Sequence, residues 1–153
     1  MQYEVLNACD NAIRSQALPF YIRDLLSWVF YRHSTTARIR KMSGFHLDVL
    51  KNAPHREVRI FNGDNLFMYA RTIAPQATQN ALKGIYSFQK SSPIGDFLFH
   101  SPDVKRYQVS LEIIKEIPDW LQDFEKHPKT YWVRETIWQY KMQYTLSLVE
   151  IFY

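Results

Sequence analysis

Residues 55–74, HREVRIFNGDNLFMYARTIA, carry the pattern that decides the fold class expected for this chain. Two runs rich in β-branched and aromatic residues, HREVRIF and LFMYARTIA, lie on either side of Asn62 and Gly63. An Asn-Gly dipeptide between two such runs is the strongest short-range signal for a β-hairpin. The segment therefore predicts two antiparallel strands from which a sheet can be extended.

Further strand patterns follow towards the C-terminus. Residues 106–114, RYQVSLEII, alternate apolar and polar side chains, which is typical of an antiparallel strand with one face in water. Residues 130–140 and 144–153, TYWVRETIWQY and YTLSLVEIFY, are close enough in sequence to form another hairpin. Helix patterns occupy residues 18–32 and 33–41, the second with Ser34 as the N-cap. Residues 76–84 and 91–99 are predicted to be short helices or loops. This order predicts one α+β domain over residues 1–153, built on a single antiparallel β-sheet of about six strands.

Length and composition limit the class of protein. The chain has 153 residues, a formal net charge of +4 and 46% hydrophobic residues. These values fit one domain with a real core, and the single Cys9 excludes an internal disulfide framework. The sequence lacks the pattern of a secretory signal, and no uncharged apolar run approaches the ~18 residues of a membrane helix. We expect a cytoplasmic protein without a membrane span, and a monomer.

Metal and nucleic-acid sites are not indicated. The five histidines are scattered, with no cysteine cluster and no paired ligand spacing, so no metal site is expected. The basic run ARIRK, residues 37–41, is typical of the solvated face of a short helix. A nucleic-acid module would rest only on this run and on the net charge, which suits an anionic small molecule equally well. We expect no nucleic-acid partner.

A carboxylate interrupts an apolar strand face near the end of the sequence. Alternate side chains of a strand point to opposite faces, so Glu150 shares its face with Leu146, Leu148 and Phe152. An unpaired carboxylate on a buried face is costly. Glu150 is therefore expected to have a partner inside the protein.

Two arginines are predicted to face inward as well. Arg56 alternates in step with Val58 and Ile60 on the first strand of the hairpin. If the hairpin loop contains an even number of residues, Arg71 joins the same face, whereas a bulge or an odd loop would reverse this.

These inward charges admit two interpretations. One is structural: a buried Arg–Glu pair that satisfies itself, or an edge strand whose apparent inner face is open to water. The other is a pocket for a small, flat ligand with a carboxylate, because arginine binds carboxylates through two parallel hydrogen bonds while apolar side chains cover a ring. The spacing of the residues does not distinguish the two.

Several blocks of the sequence resemble the chorismate pyruvate-lyase family. In residues 55–75 they are an Arg-Glu-Val strand, a hairpin with Gly and Asp, and an Arg-Thr-hydrophobic-x-Pro strand. SPIGDFLF, the Trp-x-Arg strand in YWVRETIWQY and a final strand ending in Glu-Ile-Phe follow, and HSTTARIR upstream matches a Ser-x-Thr-x-Arg helix start. The blocks keep the family's order and spacing over about residues 18–153.

The resemblance implies a fold, an activity and a set of site residues. It implies an antiparallel sheet with helices that form flaps over an enclosed pocket. It also implies conversion of chorismate into 4-hydroxybenzoate and pyruvate without a cofactor or metal, with the product feeding quinone biosynthesis. The family's carboxylate-binding arginine falls on Arg56, its backbone amide donors on Thr35 and Ile94, and the glutamate that meets the ring hydroxyl on Glu150. Arg71 remains a second candidate arginine from the strand pattern alone.

Two questions stay open at this point. Glu150 could accept a hydrogen bond from the ring hydroxyl or act as the base. The alternative function is a non-catalytic binding protein for aromatic carboxylates on the same fold, which keeps Arg56 but lacks productive closure of the flaps.

Overall fold

The computed structural model describes residues 27–28, 31, 33–88, 91–114 and 131–152. Most of the helix predicted over residues 18–32 lies outside the described residues, but Ser27 and Trp28 within it are helical. Trp28 is buried and meets Phe67 edge-to-face, with ring centroids 4.5 Å apart. This turn of helix therefore packs on the segment predicted to form the hairpin.

Six strands form one antiparallel sheet. They are β1 (Phe45–Lys51), β2 (Arg56–Asn62), β3 (Asn65–Ile73), β4 (Val104–Ile114), β5 (Tyr131–Tyr140) and β6 (Tyr144–Phe152). Their order across the sheet is β1-β2-β3-β6-β5-β4, with every neighbouring pair antiparallel. Two three-stranded meanders thus meet where β3 pairs with β6. The predicted α+β class with a single antiparallel sheet is confirmed.

The predicted hairpin is present and its loop has an even number of residues. Asn62 pairs with Asn65, so Gly63 and Asp64 form a two-residue loop. Gly63 has φ of 60°, in the left-handed region where a residue without Cβ is favoured. Its N–H donates to the carbonyl of Gly44 at 2.7 Å. A Cβ added to Gly44 would lie only 2.4 Å from that nitrogen, so both positions require glycine.

Strand β1 was not assigned from the sequence. Its side chains are almost all of intermediate exposure rather than alternately buried and exposed. The pairing with β2 also shifts between Val49 and Lys51, which interrupts the period of two that reveals a strand. A similar shift between Arg106 and Gln108 leaves Tyr107 exposed, although the alternation predicted it to lie with Val109 on the apolar face.

Three short helices are described besides the turn at Trp28. They are α1 (Thr35–Ile39), α2 (Gln76–Leu82) and α3 (Ile94–His100). Ser34 is the N-cap of α1, and its hydroxyl accepts a hydrogen bond from the N–H of Ala37 at 3.1 Å, as predicted. Thr78 of α2 donates to the carbonyl of Thr145 at 2.8 Å and attaches that helix to the start of β6.

The main core lies between one face of the sheet and these helices. The face predicted for β6 is confirmed, since Leu146, Leu148 and Phe152 are buried on either side of Glu150. The helices contribute buried side chains to the same cluster, namely Ile39, Leu82, Ile94 and Leu98. Apolar burial on this scale is the main source of stability for a domain of this size. It also fixes the position of α1 and α3 over the sheet.

Candidate ligand-binding site

A cavity lies between the sheet and the two helices α1 and α3. Its empty space is about 410 Å³ when the part open to solvent is included. The apolar lining comes from the sheet and α3: Leu47, Val58, Ile60, Met68, Ala70, Leu148 and Phe99. Polar groups come from α1 and its cap, from β2 and β3, and from β6: Ser34, Thr35, Thr36, Arg56, Thr72 and Glu150. Pro93, Ile94 and Gly95 complete the wall at the start of α3.

Four of the five predicted site residues are brought together here. Thr35, Arg56, Ile94 and Glu150 all line the cavity, although they come from four separate elements of the chain. Each is 5% exposed or less. The cavity therefore contains a buried cation and a buried carboxylate within mostly apolar walls.

Arg71, the fifth candidate, lies elsewhere. The hairpin loop is even, but the pairing of β2 with β3 shifts between Ile60 and Phe61. This bulge reverses the alternation, so Arg71 pairs with Glu57 and not with Arg56. Its Nε lies 3.2 Å from Glu57 Oε1 on the opposite face of the sheet. The prediction that Arg71 shares the face of Arg56 is wrong.

Arg56 connects the sheet to the loop that enters α3. Its Nη2 donates to the carbonyl of Ser92 at 2.9 Å, and the hydroxyl of Tyr86 donates to the same oxygen at 2.8 Å. Burial lowers the pKa of Arg56 from its ordinary value, and the nearby Tyr86 opposes that shift. A guanidinium nevertheless stays protonated at neutral pH, so Arg56 presents a positive charge to the cavity.

Glu150 has a partner, and that partner is Arg134 of β5. Arg134 Nε donates to Glu150 Oε2 at 2.6 Å, and both side chains are buried. The two residues face each other in the register of β5 and β6. Because β6 pairs on both sides, with β3 and β5, the interpretation of Glu150 as a residue of an open edge strand is excluded. A buried Arg–Glu pair does exist, and its carboxylate member, Glu150, lines the cavity.

Arg134 was missed in the sequence, although a signal for it is present. It alternates in step with Trp132, Trp138 and Tyr140, so the four side chains share one face of β5. The rule that selected Glu150 and Arg56 also applies to Arg134: a charge on an apolar face requires a partner. Only the register of β5 against β6 identifies that partner as Glu150.

Helices α1 and α3 approach each other closely at the edge of the cavity. A Cβ added to Gly95 would lie 3.2 Å from Ser34 Oγ, so a larger residue would press on the cap of α1. Arg40 Nη1 pairs with Asp96 Oδ2 at 2.8 Å and joins the same two segments. Thr35 and Ile94 are the first residues of their helices, where backbone N–H groups have no acceptor within the helix. These positions suit the role of backbone donors that the family resemblance assigns to them.

The basic run ARIRK is largely engaged within the protein. Arg38 lies over the ring of Trp28, 3.8 Å from its centroid, and its Nη1 donates to the carbonyl of Ser27 at 2.8 Å. Arg40 pairs with Asp96. The sequence had suggested a purely solvated face, but Arg38 is partly buried, whereas Arg40 and Lys41 are exposed.

The described part of the chain contains neither a cluster of metal-binding side chains nor a helix that could cross a membrane. Within it, no three or more His, Cys, Asp or Glu side chains are grouped as a metal site would require. None of the helices in the same residues has the length and apolar character needed to cross a membrane.

The arrangement suits a flat ligand with two polar ends. A guanidinium can bind a carboxylate, apolar side chains can cover a ring, and a carboxylate can accept a hydrogen bond from a hydroxyl. Comparison with protein-family models and with curated proteins gives no match to this chain.

Proposed function

We propose that the chain is a chorismate pyruvate-lyase, which converts chorismate into 4-hydroxybenzoate and pyruvate. The observation that supports this is the position of Thr35, Arg56, Ile94 and Glu150, which come from distant parts of the sequence and line one cavity. The family resemblance assigns these four residues to one ligand from the sequence alone. A chance motif match would not be expected to bring all four to one cavity.

In this proposal, each polar group has a role that suits its chemistry. Arg56 binds a carboxylate of chorismate through its planar guanidinium. The backbone N–H groups of Thr35 and Ile94 add donors without adding charge. Glu150 accepts the hydrogen bond of the ring hydroxyl. Helices α1 and α3 then act as the two flaps, which must separate for the flat product to leave.

The reaction needs little chemistry from the protein. The ring carbon that bears the hydroxyl loses its proton, and the ether oxygen departs from the neighbouring carbon as enolpyruvate, which becomes pyruvate. Aromatisation of the ring drives the step. Orientation of the substrate, exclusion of water and stabilisation of developing charge are therefore the contributions expected of the site. No cofactor or metal takes part in this proposal.

The pairing of Glu150 with Arg134 bears on the choice between the two roles of the carboxylate. Arg134 Nε holds Glu150 Oε2 in a short hydrogen bond of 2.6 Å, so the orientation of the carboxylate is fixed. A fixed carboxylate suits the role of orienting the ring hydroxyl. The same observation favours, as the second candidate function, a protein that binds aromatic carboxylates without converting them.

The two functions are distinguished by incubating the purified chain with chorismate. A lyase produces pyruvate and 4-hydroxybenzoate in equal amounts, at a rate above that of spontaneous decomposition. A binding protein takes up 4-hydroxybenzoate and leaves chorismate unchanged. A chain that does neither contradicts both proposals.

A further inference from the structure

Arg134 binds both Glu150 and α1 through a single guanidinium group. Besides the bond from its Nε to Glu150 Oε2 at 2.6 Å, its Nη2 donates to Thr35 Oγ1 at 2.6 Å. Its Nη1 donates to the carbonyl of Tyr31, which precedes α1 in sequence, at 2.8 Å. One side chain therefore connects the carboxylate in the cavity wall with the helix on the other side of the cavity.

The geometry of a guanidinium makes these contacts dependent on one another. Its N–H groups lie in one plane in a fixed fork. If one acceptor moves and the guanidinium follows it, the hydrogen bonds to the other acceptors are distorted. Arg134 is only 5% exposed, which limits the replacement of a lost partner by water. If α1 moved away, a buried charged donor would lose its acceptor, and this is costly.

We infer that Arg134 is a positioning residue that couples the docking of α1 to the orientation of Glu150. With α1 docked, Arg134 holds Oε2 and leaves Oε1 to accept from a ligand hydroxyl. With α1 displaced, the guanidinium loses two acceptors and the carboxylate loses its fixed orientation. The inference rests on the proposed function for the identity of the ligand. The inference deepens that function. The site can prefer an aromatic acid with a hydroxyl opposite its carboxylate only while α1 is docked.

A purely structural ion pair would behave differently. Loss of the Thr35 hydroxyl would then change the stability of the fold, but not the way in which the site distinguishes ligands. Coupling between two sites is reciprocal in free energy. A change at Thr35 must therefore alter the discrimination at Glu150, and a change at Glu150 must alter the docking of α1.

The first measurement is amide hydrogen exchange of α1 in the ligand-free protein. Thr35→Val removes the hydroxyl at nearly constant volume, and Thr35→Ser keeps it. The reporters are the backbone amides of Arg38 and Arg40, which donate to the carbonyls of Ser34 and Thr36. We expect them to exchange about tenfold or more faster in Thr35→Val, and within about twofold of the parent in Thr35→Ser.

The opposite direction is tested by Glu150→Gln with the same reporters. Removing the charge from the partner of Arg134 should speed exchange in α1 as well. Glu135→Gln is the matched control, because Glu135 neighbours Arg134 in β5 but accepts from Ser147 Oγ at 2.6 Å on the other face of the sheet. It should leave exchange in α1 at the rate of the parent. If Thr35→Val fails to fold, the comparison of Glu150→Gln with Glu135→Gln decides whether α1 and Glu150 are coupled.

The exchange data can overturn the inference in two ways. Equal protection of α1 in the parent, Thr35→Val and Glu150→Gln would show that the helix and the carboxylate are not coupled. Exchange of α1 in the parent at the rate of an unstructured peptide would show that the helix is not docked.

The second measurement is the ratio of the affinities for 4-hydroxybenzoate and benzoate. We expect the preference for the hydroxylated acid to fall by about fivefold or more in Thr35→Val and to be kept in Thr35→Ser. An unchanged ratio, with both acids bound more weakly, would mean that Arg134 has only a structural role and would overturn the inference. A parent that binds neither acid contradicts the proposed function instead, and the exchange measurements then decide the coupling by themselves.

Discussion

Arg56 and Tyr86 donate to the same backbone oxygen, the carbonyl of Ser92, from 2.9 and 2.8 Å. Ser92 lies two residues before α3, so this shared acceptor holds the entrance of the helix against the sheet. Burial raises the pKa of Tyr86, and the nearby Arg56 partly opposes that shift. The wall of the cavity near α3 thus depends on a tyrosine that stays neutral well into the alkaline range.

Alkaline pH should destabilise the protein through Tyr86. Its pKa is higher in the folded chain than in the unfolded chain, so the folded state holds more protons once the pH exceeds about 10. The free energy of unfolding should therefore fall as the pH rises above about 10, and it should fall less steeply in Tyr86→Phe. Urea denaturation at several pH values measures both slopes. Parallel slopes for the two proteins would contradict the assignment.

Removal of the Arg56 guanidinium should weaken binding of 4-hydroxybenzoate. Arg56→Ala should cost ~2–5 kcal/mol in binding, because the ligand carboxylate loses a buried charged partner. Arg56→Lys should restore only part of the loss, since an ammonium lacks the planar fork. Titration calorimetry measures each affinity.

Arg59→Ala provides the matched control for this comparison. Arg59 lies on the same strand, but it pairs with Asp48 at 3.5 Å and does not line the cavity. Its loss should leave the affinity near that of the parent. If Arg56→Ala binds the ligand as well as Arg59→Ala does, Arg56 is not the group that binds the carboxylate.

Loss of Arg134 should lower stability more than loss of the whole ion pair. Arg134→Ala leaves Glu150 buried without its partner, which typically costs about 3–5 kcal/mol in the free energy of unfolding. The double variant Arg134→Met, Glu150→Gln removes both charges and should recover part of that loss. Chemical denaturation measures the three values. A double variant less stable than Arg134→Ala would show that the buried carboxylate is not the source of the cost.

The sequence predicts the sheet and the orientation of two site residues because both follow from a period of two. Glu150 and Arg56 could be placed by counting along a single strand from apolar neighbours. Arg71 could not, because its face depends on the bulge at Phe67, which is skipped where Ile60 pairs with Met68 and Phe61 pairs with Leu66. A bulge leaves no clear mark in a strand that alternates on both sides of it. The face of a side chain is therefore predicted less reliably from residues across a hairpin than from residues on the same strand.

The partner of Glu150 shows the second limit of the sequence. Arg134 is sixteen residues away, and several arginines could meet a buried carboxylate. The choice among them is made by the register between β5 and β6, which depends on long-range packing. The approach of α1 and α3 at Gly95 is a similar case, since it depends on contacts between segments that are far apart in sequence.

Removal of the charge at Glu150 should show whether this carboxylate orients the ring hydroxyl or acts as the base. We expect Glu150→Gln to reduce kcat/KM for chorismate and affinity for 4-hydroxybenzoate together, by about tenfold to a hundredfold, because one charge-assisted hydrogen bond is weakened. Steady-state kinetics and calorimetry supply the two numbers. A fall in kcat of about 10²–10⁴-fold with product affinity retained would instead identify Glu150 as the base.

Conversion of chorismate in the cavity bounded by Arg56 and Glu150 is tested by measuring both products at once from the purified protein. We expect the parent and Arg59→Ala to form pyruvate and 4-hydroxybenzoate in a one-to-one ratio. We expect Arg56→Ala, checked to be folded, to lose most of that rate. Formation of neither product by a folded parent that is saturated with chorismate would contradict the proposal, as would equal rates in Arg56→Ala and the parent.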